Sequence, residues 1–187
     1  KEILELPRCG CINIHVSILP RWRGAAPIEY TLLNGDKQAG VSIIKLNEKL
    51  DAGPIIIQKK FNVPENFNKL KLSERLTKIG KKLLVDTLPN ILENKVILKD
   101  QDENKVTYAN KITSEDRKIN FFNTTNNVIN HIRAHGPKPG AWFHLNNERI
   151  KILEAKANLE IGNISTILNK NFIISCQDGS IEPLILQ

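Results

Sequence analysis

The chain has 187 residues, of which 41% are hydrophobic, and its formal net charge at pH 7 is +7. This length suits one large domain or two small ones. No apolar run reaches the ~18 residues of a membrane span, which argues against an integral membrane protein.

The positive charge is concentrated in the first half of the sequence. Residues 1–96 hold 16 Lys/Arg and 10 Asp/Glu, whereas residues 97–187 hold 11 and 10. A basic balance suits a polyanionic partner such as nucleic acid, although ordinary enzymes also show it. The partner must therefore be argued from motifs.

The cysteine and methionine counts give two further expectations. Cys9, Cys11 and Cys176 have no metal-ligand spacing, so we expect reduced thiols and a cytoplasmic protein. The sequence contains no methionine and both ends lie within regular patterns. We therefore expect a fragment lacking both ends; a processed, complete protein is the alternative.

Strands and helices alternate in the first half. The segments "CINIH", "GVSIIKLN" and "IIIQKKFNV" are short β-branched runs bounded by turn signals, and predict strands. One helix is predicted to begin at Pro27 and stop at Asn34, and a longer one to span 70–94 with Ser73 as its cap. The apolar strands are typical of an α/β fold with an open, mostly parallel Rossmann-like sheet, here over residues 1–96.

The second half has a different character. Residues 97–116 are polar and lack a long apolar period, which predicts a linker. "TNNVINHIRAH" predicts a short helix and "GPKPG" a turn. The five strand candidates that follow are "AWFHLN", "ERIKILEAKA", "ISTILN", "NFIISCQ" and "IEPLILQ". Their spacing predicts a small OB-like β-barrel domain over 117–187, incomplete at its end.

Three polar residues form the main chemical signal. Asn13 and His15 are two residues apart on a strand, so both project from the same face, at the end where open α/β sheets bind ligands. An imidazole suits proton transfer, and an amide donor to a forming oxyanion is worth about 3 kcal/mol of barrier. Asp51, in a turn-rich loop, is the candidate that orients the imidazole or accepts a proton through water. The alternative is structural: a satisfied core histidine beside two turn formers.

The stretch "NIHVSILPRWRGAAPIEYTLLNGDKQAGVSIIKLNEKLDAGPII" resembles the formyltransferase family that uses 10-formyltetrahydrofolate. That family shares an Asn-x-His-x-Ser-Leu-Leu-Pro stretch and a downstream Asp-x-Gly loop, matched here at 13–20 and 51–53. "PRWRGAAPI" is similar to its tRNA-specific members, and "TYANKI", "IRAHGPKPGAW" and "DGSIEPLILQ" also match. Val16, Ile18 and Gly136 depart from the family's usual residues.

The resemblance implies roles for ten residues. The catalytic set is Asn13, His15 and Asp51, the folate contacts are Ser17, Ile18, Leu19 and Pro20, and the tRNA contacts are Arg21, Trp22 and Arg23. It implies formyl transfer from 10-formyltetrahydrofolate to the α-amine of methionyl-initiator tRNA, for bacterial-type translation initiation. We expect a monomer. We also expect no metal, since no two of the histidines at 131, 135 and 144 form a convincing metal site.

Several alternatives stay open at this point. The acceptor could instead be an amino sugar or a nucleotide precursor, and the chain could be a catalytically dead RNA-binding fragment. Trp22 could be a packing anchor in a solvated loop. A nucleophilic role for Cys9 or Cys11 is disfavoured, because direct amine attack needs no acyl-enzyme and neither thiol has an obvious base.

Overall fold

A computed structural model describes residues 2–169 and 172–187, which divide into two compact units. Unit 1 holds the residues up to Thr31, Lys37–Pro64 and Leu72–Lys111; unit 2 holds Leu32–Asp36, Glu65–Lys71 and the residues from Ile112 onward. The domain bounds 1–96, 97–116 and 117–187 stay a prediction.

The strands of unit 1 are β1 (Ile12–His15), β2 (Arg23–Gly24), β3 (Gln38–Lys45), β4 (Ile55–Asn62) and β5 (Tyr108–Ala109). β1, β3 and β4 form a sheet in that order through antiparallel pairs, and β2 pairs with β5 in parallel. The mixed α/β class is confirmed, but among the described strands the predicted parallel order is found only in the β2–β5 pair. β3 has six successive buried residues, a pattern that a central antiparallel strand covered on both faces shares with a parallel one.

The helices are α1 (Glu2–Glu5), α2 (Pro27–Leu33), α3 (Lys69–Leu92) and α4 (Thr125–His135). The three longer helices agree with the predictions, except that the cap of α3 is not Ser73. Asn68 Oδ1 accepts a hydrogen bond from the Lys71 amide at 3.1 Å, so Asn68 caps the helix. Every helix in the described part of the chain is too short or too polar to span a bilayer.

One face of the unit 1 sheet is covered by α3. A Cβ atom on Gly80 of α3 would lie 3.1 Å from Ile14 Cγ2 and 3.6 Å from Val41 Cγ1. Because successive residues of a strand point to opposite faces, α3 covers the face opposite to Asn13 and His15. The face with the predicted catalytic residues is therefore left to the loops.

Unit 2 is built on an antiparallel sheet. Its strands are β6 (Ala141–Leu145), β7 (Glu148–Asn158), β8 (Ile174–Ser175) and β9 (Ser180–Leu186), in the order β6-β7-β9-β8. Val128 and Ile132 of α4 join a core with the sheet residues Phe143, Ile152 and Ile181. Four of the five predicted strands are found; "ISTILN" contributes one isolated bridge, from Ile167 to Ile174. Closure into an OB-like barrel stays a prediction.

Candidate active site

The structure brings the three predicted catalytic residues together around Asp51. The amide Nδ2 of Asn13 donates to Asp51 Oδ1 at 3.4 Å, and His15 Nδ1 lies 3.7 Å from Asp51 Oδ2. The side chains of His15 and Asp51 are only 6% and 11% exposed. A carboxylate and an imidazole so far from bulk water interact more strongly than they would at the surface.

The second nitrogen of His15 fixes the ring. Its Nε2 lies 2.8 Å from the Trp22 carbonyl oxygen. A carbonyl can only accept, so Nε2 carries a hydrogen and Nδ1 faces Asp51. The 3.7 Å distance between Nδ1 and Asp51 Oδ2 exceeds a direct hydrogen bond.

Two glycines allow the loops to meet at Asp51. The Gly24 amide donates to Asp51 Oδ2 at 2.9 Å, and Gly24 has a φ of 114°. A Cβ there would lie 2.7 Å from the Ala109 carbonyl oxygen, so a larger residue does not fit. A Cβ on Gly53 would overlap the Lys45 carbonyl oxygen. The Asp-x-Gly spacing thus reflects how closely this loop packs against the end of β3.

The predicted folate stretch, residues 17–20, is anchored to the sheet. Ser42 Oγ donates to the Ser17 carbonyl at 2.7 Å and accepts from the Leu19 amide at 3.1 Å. Gln58 Nε2 donates to the Leu19 carbonyl at 2.9 Å. Ser17 and Leu19 are each 2% exposed, whereas Ile18 and Pro20 are half-buried. The folate contacts of these four residues stay a prediction.

The predicted tRNA loop has one accessible cation and one buried cation. The Arg21 guanidinium lies 4.1 Å from the Trp22 ring centroid, and Arg21 is half-buried. Trp22 is 8% exposed and packs on Tyr30 with ring centroids 5.2 Å apart. Arg23 is 2% exposed. Its Nη atoms donate to Glu103 at 3.3 and 2.8 Å. This geometry favours Arg21 over Arg23 as a phosphate contact and shows that Trp22 packs on Tyr30. The tRNA contacts of all three residues stay a prediction.

Sequence reasoning missed the contribution of the polar stretch 97–116. Gln101 donates to the carbonyls of Asp51 and Gly53, both at 2.8 Å, and accepts from Arg23 Nε at 3.0 Å. The hydrogen bond from Arg23 holds the pKa of the Glu103 carboxyl below its usual value. Nothing in the polarity of this stretch separates Gln101 from a solvated linker residue, so the sequence contains no signal for its role.

Two further histidines lie close together in unit 2. The rings of His131 and His135 on α4 have centroids 4.6 Å apart. Within residues 2–169 and 172–187, neither Nε2 atom has a hydrogen-bond partner. The same residues contain no group of three or more His, Cys, Asp or Glu that could hold a metal ion.

Two family profiles match the sequence. Residues 1–88 match the profile described as "Formyl transferase", and residues 111–187 match "Formyl transferase, C-terminal domain". The first match contains the whole Asn13, His15 and Asp51 cluster.

Curated relatives named methionyl-tRNA formyltransferase align with the entire chain. The protein from Bartonella tribocorum is 40% identical, and this chain covers 62% of it. The protein from Wolbachia pipientis is 43% identical, and this chain covers 60% of it. The chain thus spans about 60% of the length of these relatives.

A solved structure shares the fold of this chain. It is an N-formyltransferase from Helicobacter canadensis in complex with folinic acid and dTDP-3-aminofucose. The TM-score is 0.77 at 25% identity, and the match covers 91% of this chain and 64% of that one.

Proposed function

This chain belongs to the formyltransferase family, and from that premise we propose that its protein transfers a formyl group from 10-formyltetrahydrofolate to methionyl-initiator tRNA. The acceptor is the α-amine of the methionyl group, and the product, N-formylmethionyl-tRNA, serves translation initiation. The relatives at 40% and 43% identity are named methionyl-tRNA formyltransferase, which supports this acceptor. A cytoplasmic location and a monomeric state belong to the same proposal.

The observation that carries the proposal is the arrangement of donors around Asp51. Asn13 gives one amide N–H to Asp51 and has a second available. His15 Nδ1 lies beyond hydrogen-bond distance of the carboxylate and, when protonated, is a second donor. Two donors beside one carboxylate suit a reaction that forms an oxyanion and releases a proton.

The proposed reaction needs no covalent intermediate with the protein. The α-amine attacks the formyl carbon, and Asn13 and protonated His15 hold the oxyanion that forms. Asp51 stabilises the imidazolium and accepts the amine proton through water. The bond from the formyl carbon to the folate N10 then breaks, and N10 takes a proton. Tetrahydrofolate leaves, and the formyl group remains on the amine.

The decisive experiment measures formyl transfer by the natural protein at its full length. We expect labelled formyl groups to move from 10-formyltetrahydrofolate to methionyl-initiator tRNA and not to uncharged tRNA. Absence of transfer to any acceptor, together with retained RNA binding, would support the catalytically dead RNA-binding alternative.

An amino-sugar acceptor is the second candidate, because the Helicobacter canadensis N-formyltransferase holds dTDP-3-aminofucose. The same assay with a dTDP-linked amino sugar tests it. A higher kcat/KM for the amino sugar than for methionyl-tRNA would make the amino sugar the leading candidate. A nucleotide precursor is tested by the same comparison. The "PRWRGAAPI" stretch, similar to tRNA-specific members, favours the tRNA.

The loop at Arg21 gives an independent test of the tRNA acceptor. If the half-buried Arg21 guanidinium contacts a phosphate, Arg21→Ala raises the KM for methionyl-tRNA. The salt dependence of binding then flattens by about one counterion. The affinity for folate stays unchanged. Lys81→Ala, on the exposed side of α3, is the matched control for loss of one positive charge. Equal salt slopes for both variants would remove Arg21 from the tRNA contact.

A further inference from the structure

One side chain ties the loop of Asp51 to the loop that binds its carboxylate. Gln101 is 9% exposed. Its Nε2 donates to the carbonyl oxygens of Asp51 and Gly53, both at 2.8 Å. Its Oε1 accepts from Arg23 Nε at 3.0 Å. All these contacts lie within unit 1.

The orientation of the Gln101 amide follows from its partners. A guanidinium can only donate, and a carbonyl can only accept. The oxygen must therefore face Arg23, and the nitrogen must face Asp51 and Gly53. An amide turned by 180° would lose all three hydrogen bonds, so the assignment does not depend on distinguishing oxygen from nitrogen.

The contacts close a ring of hydrogen bonds around Asp51. Gly24, which follows Arg23, donates its amide to the Asp51 carboxylate at 2.9 Å. Gln101 then joins Arg23 back to the main chain of Asp51. Both the main chain and the carboxylate of Asp51 are thereby fixed relative to residues 23–24.

Asp51 needs such support because of its backbone. Its φ is +48°, in the left-handed region that disfavours residues with a Cβ. An aspartate tolerates this conformation better than most residues with a Cβ but still less readily than glycine, so contacts from other residues help to hold the loop. The two hydrogen bonds from Gln101 flank Ala52 and hold the residues on either side of it.

We infer that Gln101 is a positioning residue that acts through Asp51, so that its main effect is on kcat. This inference rests on the proposed catalytic role of Asp51. Neither the predicted folate residues nor Arg21 is a hydrogen-bond partner of Gln101 in the contacts described above. Its loss therefore displaces the carboxylate while both substrates still bind.

The sharpest variant is Gln101→Glu. It keeps the size of the side chain and the acceptor for Arg23, but replaces the two N–H donors with an oxygen that cannot donate to the carbonyls. A displacement near 1 Å at a reacting group can lower the rate about a hundredfold. We expect kcat to fall by about 10- to 100-fold, with both KM values within about threefold of wild type.

A control separates this effect from a general loss of stability. Gln38→Glu makes the same chemical change at an exposed position of unit 1 and is expected to leave kcat unchanged. A Gln101→Glu protein with wild-type kcat and only a lower melting temperature would overturn the inference. If that variant does not fold, Arg23→Lys opens the same ring from the other side, because lysine lacks the planar fork that reaches both Gln101 and Glu103. Wild-type kcat in a folded Arg23→Lys protein would then overturn it.

The double variant tests the route through Asp51. If Gln101 acts by positioning Asp51, adding Gln101→Glu to Asp51→Asn causes no further loss in single-turnover rate. Multiplied losses would show that Gln101 acts independently, and would overturn the inference while leaving the proposed function in place. A normal rate for Asp51→Asn alone would instead overturn the proposed role of Asp51.

Discussion

His15 in unit 1 and His135 in unit 2 are both buried, with 6% and 1% of their surface exposed, yet their surroundings differ completely. Both nitrogens of His15 face a partner, the Trp22 carbonyl and the Asp51 carboxylate. The Nε2 of His135 has no hydrogen-bond partner in residues 2–169 and 172–187. Burial alone therefore does not separate the histidine that is predicted to be catalytic from a packing one; the partner groups do.

The pKa values of His131 and His135 in unit 2 reflect their buried surroundings. The pKa of His135 is lowered to about 3, first by burial and then by its electrostatic interactions with His131, Arg117 and Lys69, against the opposing charge of Asp116. Burial also lowers the pKa of His131. Burial thus favours the neutral form of both imidazoles in unit 2.

The largest expected effect is a loss of kcat in Asp51→Asn, which replaces the carboxylate that faces His15. In the proposed mechanism, the variant lacks the charge that stabilises an imidazolium and the acceptor for the amine proton. We expect kcat to fall by a hundredfold or more, with a shifted acid limb of the pH–rate profile and little change in tRNA affinity. Asp86→Asn, which removes an exposed carboxylate on α3, is the matched control. Near-normal kcat would leave Asp51 a purely structural role.

The next effect concerns the stability of unit 2 against acid. The folded pKa of His135 lies below its value in the unfolded chain, 6.5. The stability that comes from keeping His135 neutral in the folded state is therefore fully present above pH 6.5, and it is lost as the pH falls below that value. Each proton taken up on unfolding costs about 1.4 kcal/mol per pH unit. We expect the unfolding free energy of α4, measured by hydrogen exchange, to decrease between pH 6.5 and 5, where most carboxylates stay ionised.

His135→Phe tests this assignment, because phenylalanine keeps the ring contact with His131 and cannot titrate. We expect it to reduce the pH dependence between pH 6.5 and 5 markedly. His144→Gln, at an exposed position, is expected to leave the pH dependence as in the wild type. An unaltered slope in His135→Phe would mean that other groups cause the acid sensitivity.

The smallest expected effect concerns the N-terminal cap of α4. It tests whether the stability of this helix depends on the titration of the histidines. The Thr124 side chain caps α4 by accepting a hydrogen bond from the Asn127 amide at 3.3 Å. Thr124→Ala is expected to cost about 1 kcal/mol at all pH values, because a cap carries no titrating group. A loss that appeared only at acid pH would couple the cap to the histidines and contradict this separation.

The predictable part of the site was the part encoded locally. Asn13 and His15 share a strand face by the period of a β-strand, and Asp51 stood out by its turn chemistry and the family resemblance. Gln101 could not be found in this way, because its role depends on backbone carbonyls 48 and 50 residues away in the sequence. Hydropathy patterns contain no information on such contacts.

The sheet shows the same limit. The apolar runs located β1, β3 and β4 correctly, but apolarity reports burial and not strand direction. The direction is set by how the chain returns between strands, through α2 and the loop at Asp51. Arg23 likewise looked like a surface cation in a basic loop, and only the partners Gln101 and Glu103 show why it is buried.

Trp22 and Gly24 contact the candidate site through main-chain atoms, the Trp22 carbonyl and the Gly24 amide. The side chain at position 21 takes no part in those two hydrogen bonds. Under the proposed function, acceptor recognition by Arg21 and the chemical step at Asp51 depend on different parts of the molecule. Under the same proposal, an exchange at position 21 is expected to alter recognition of the acceptor while these two main-chain hydrogen bonds stay intact.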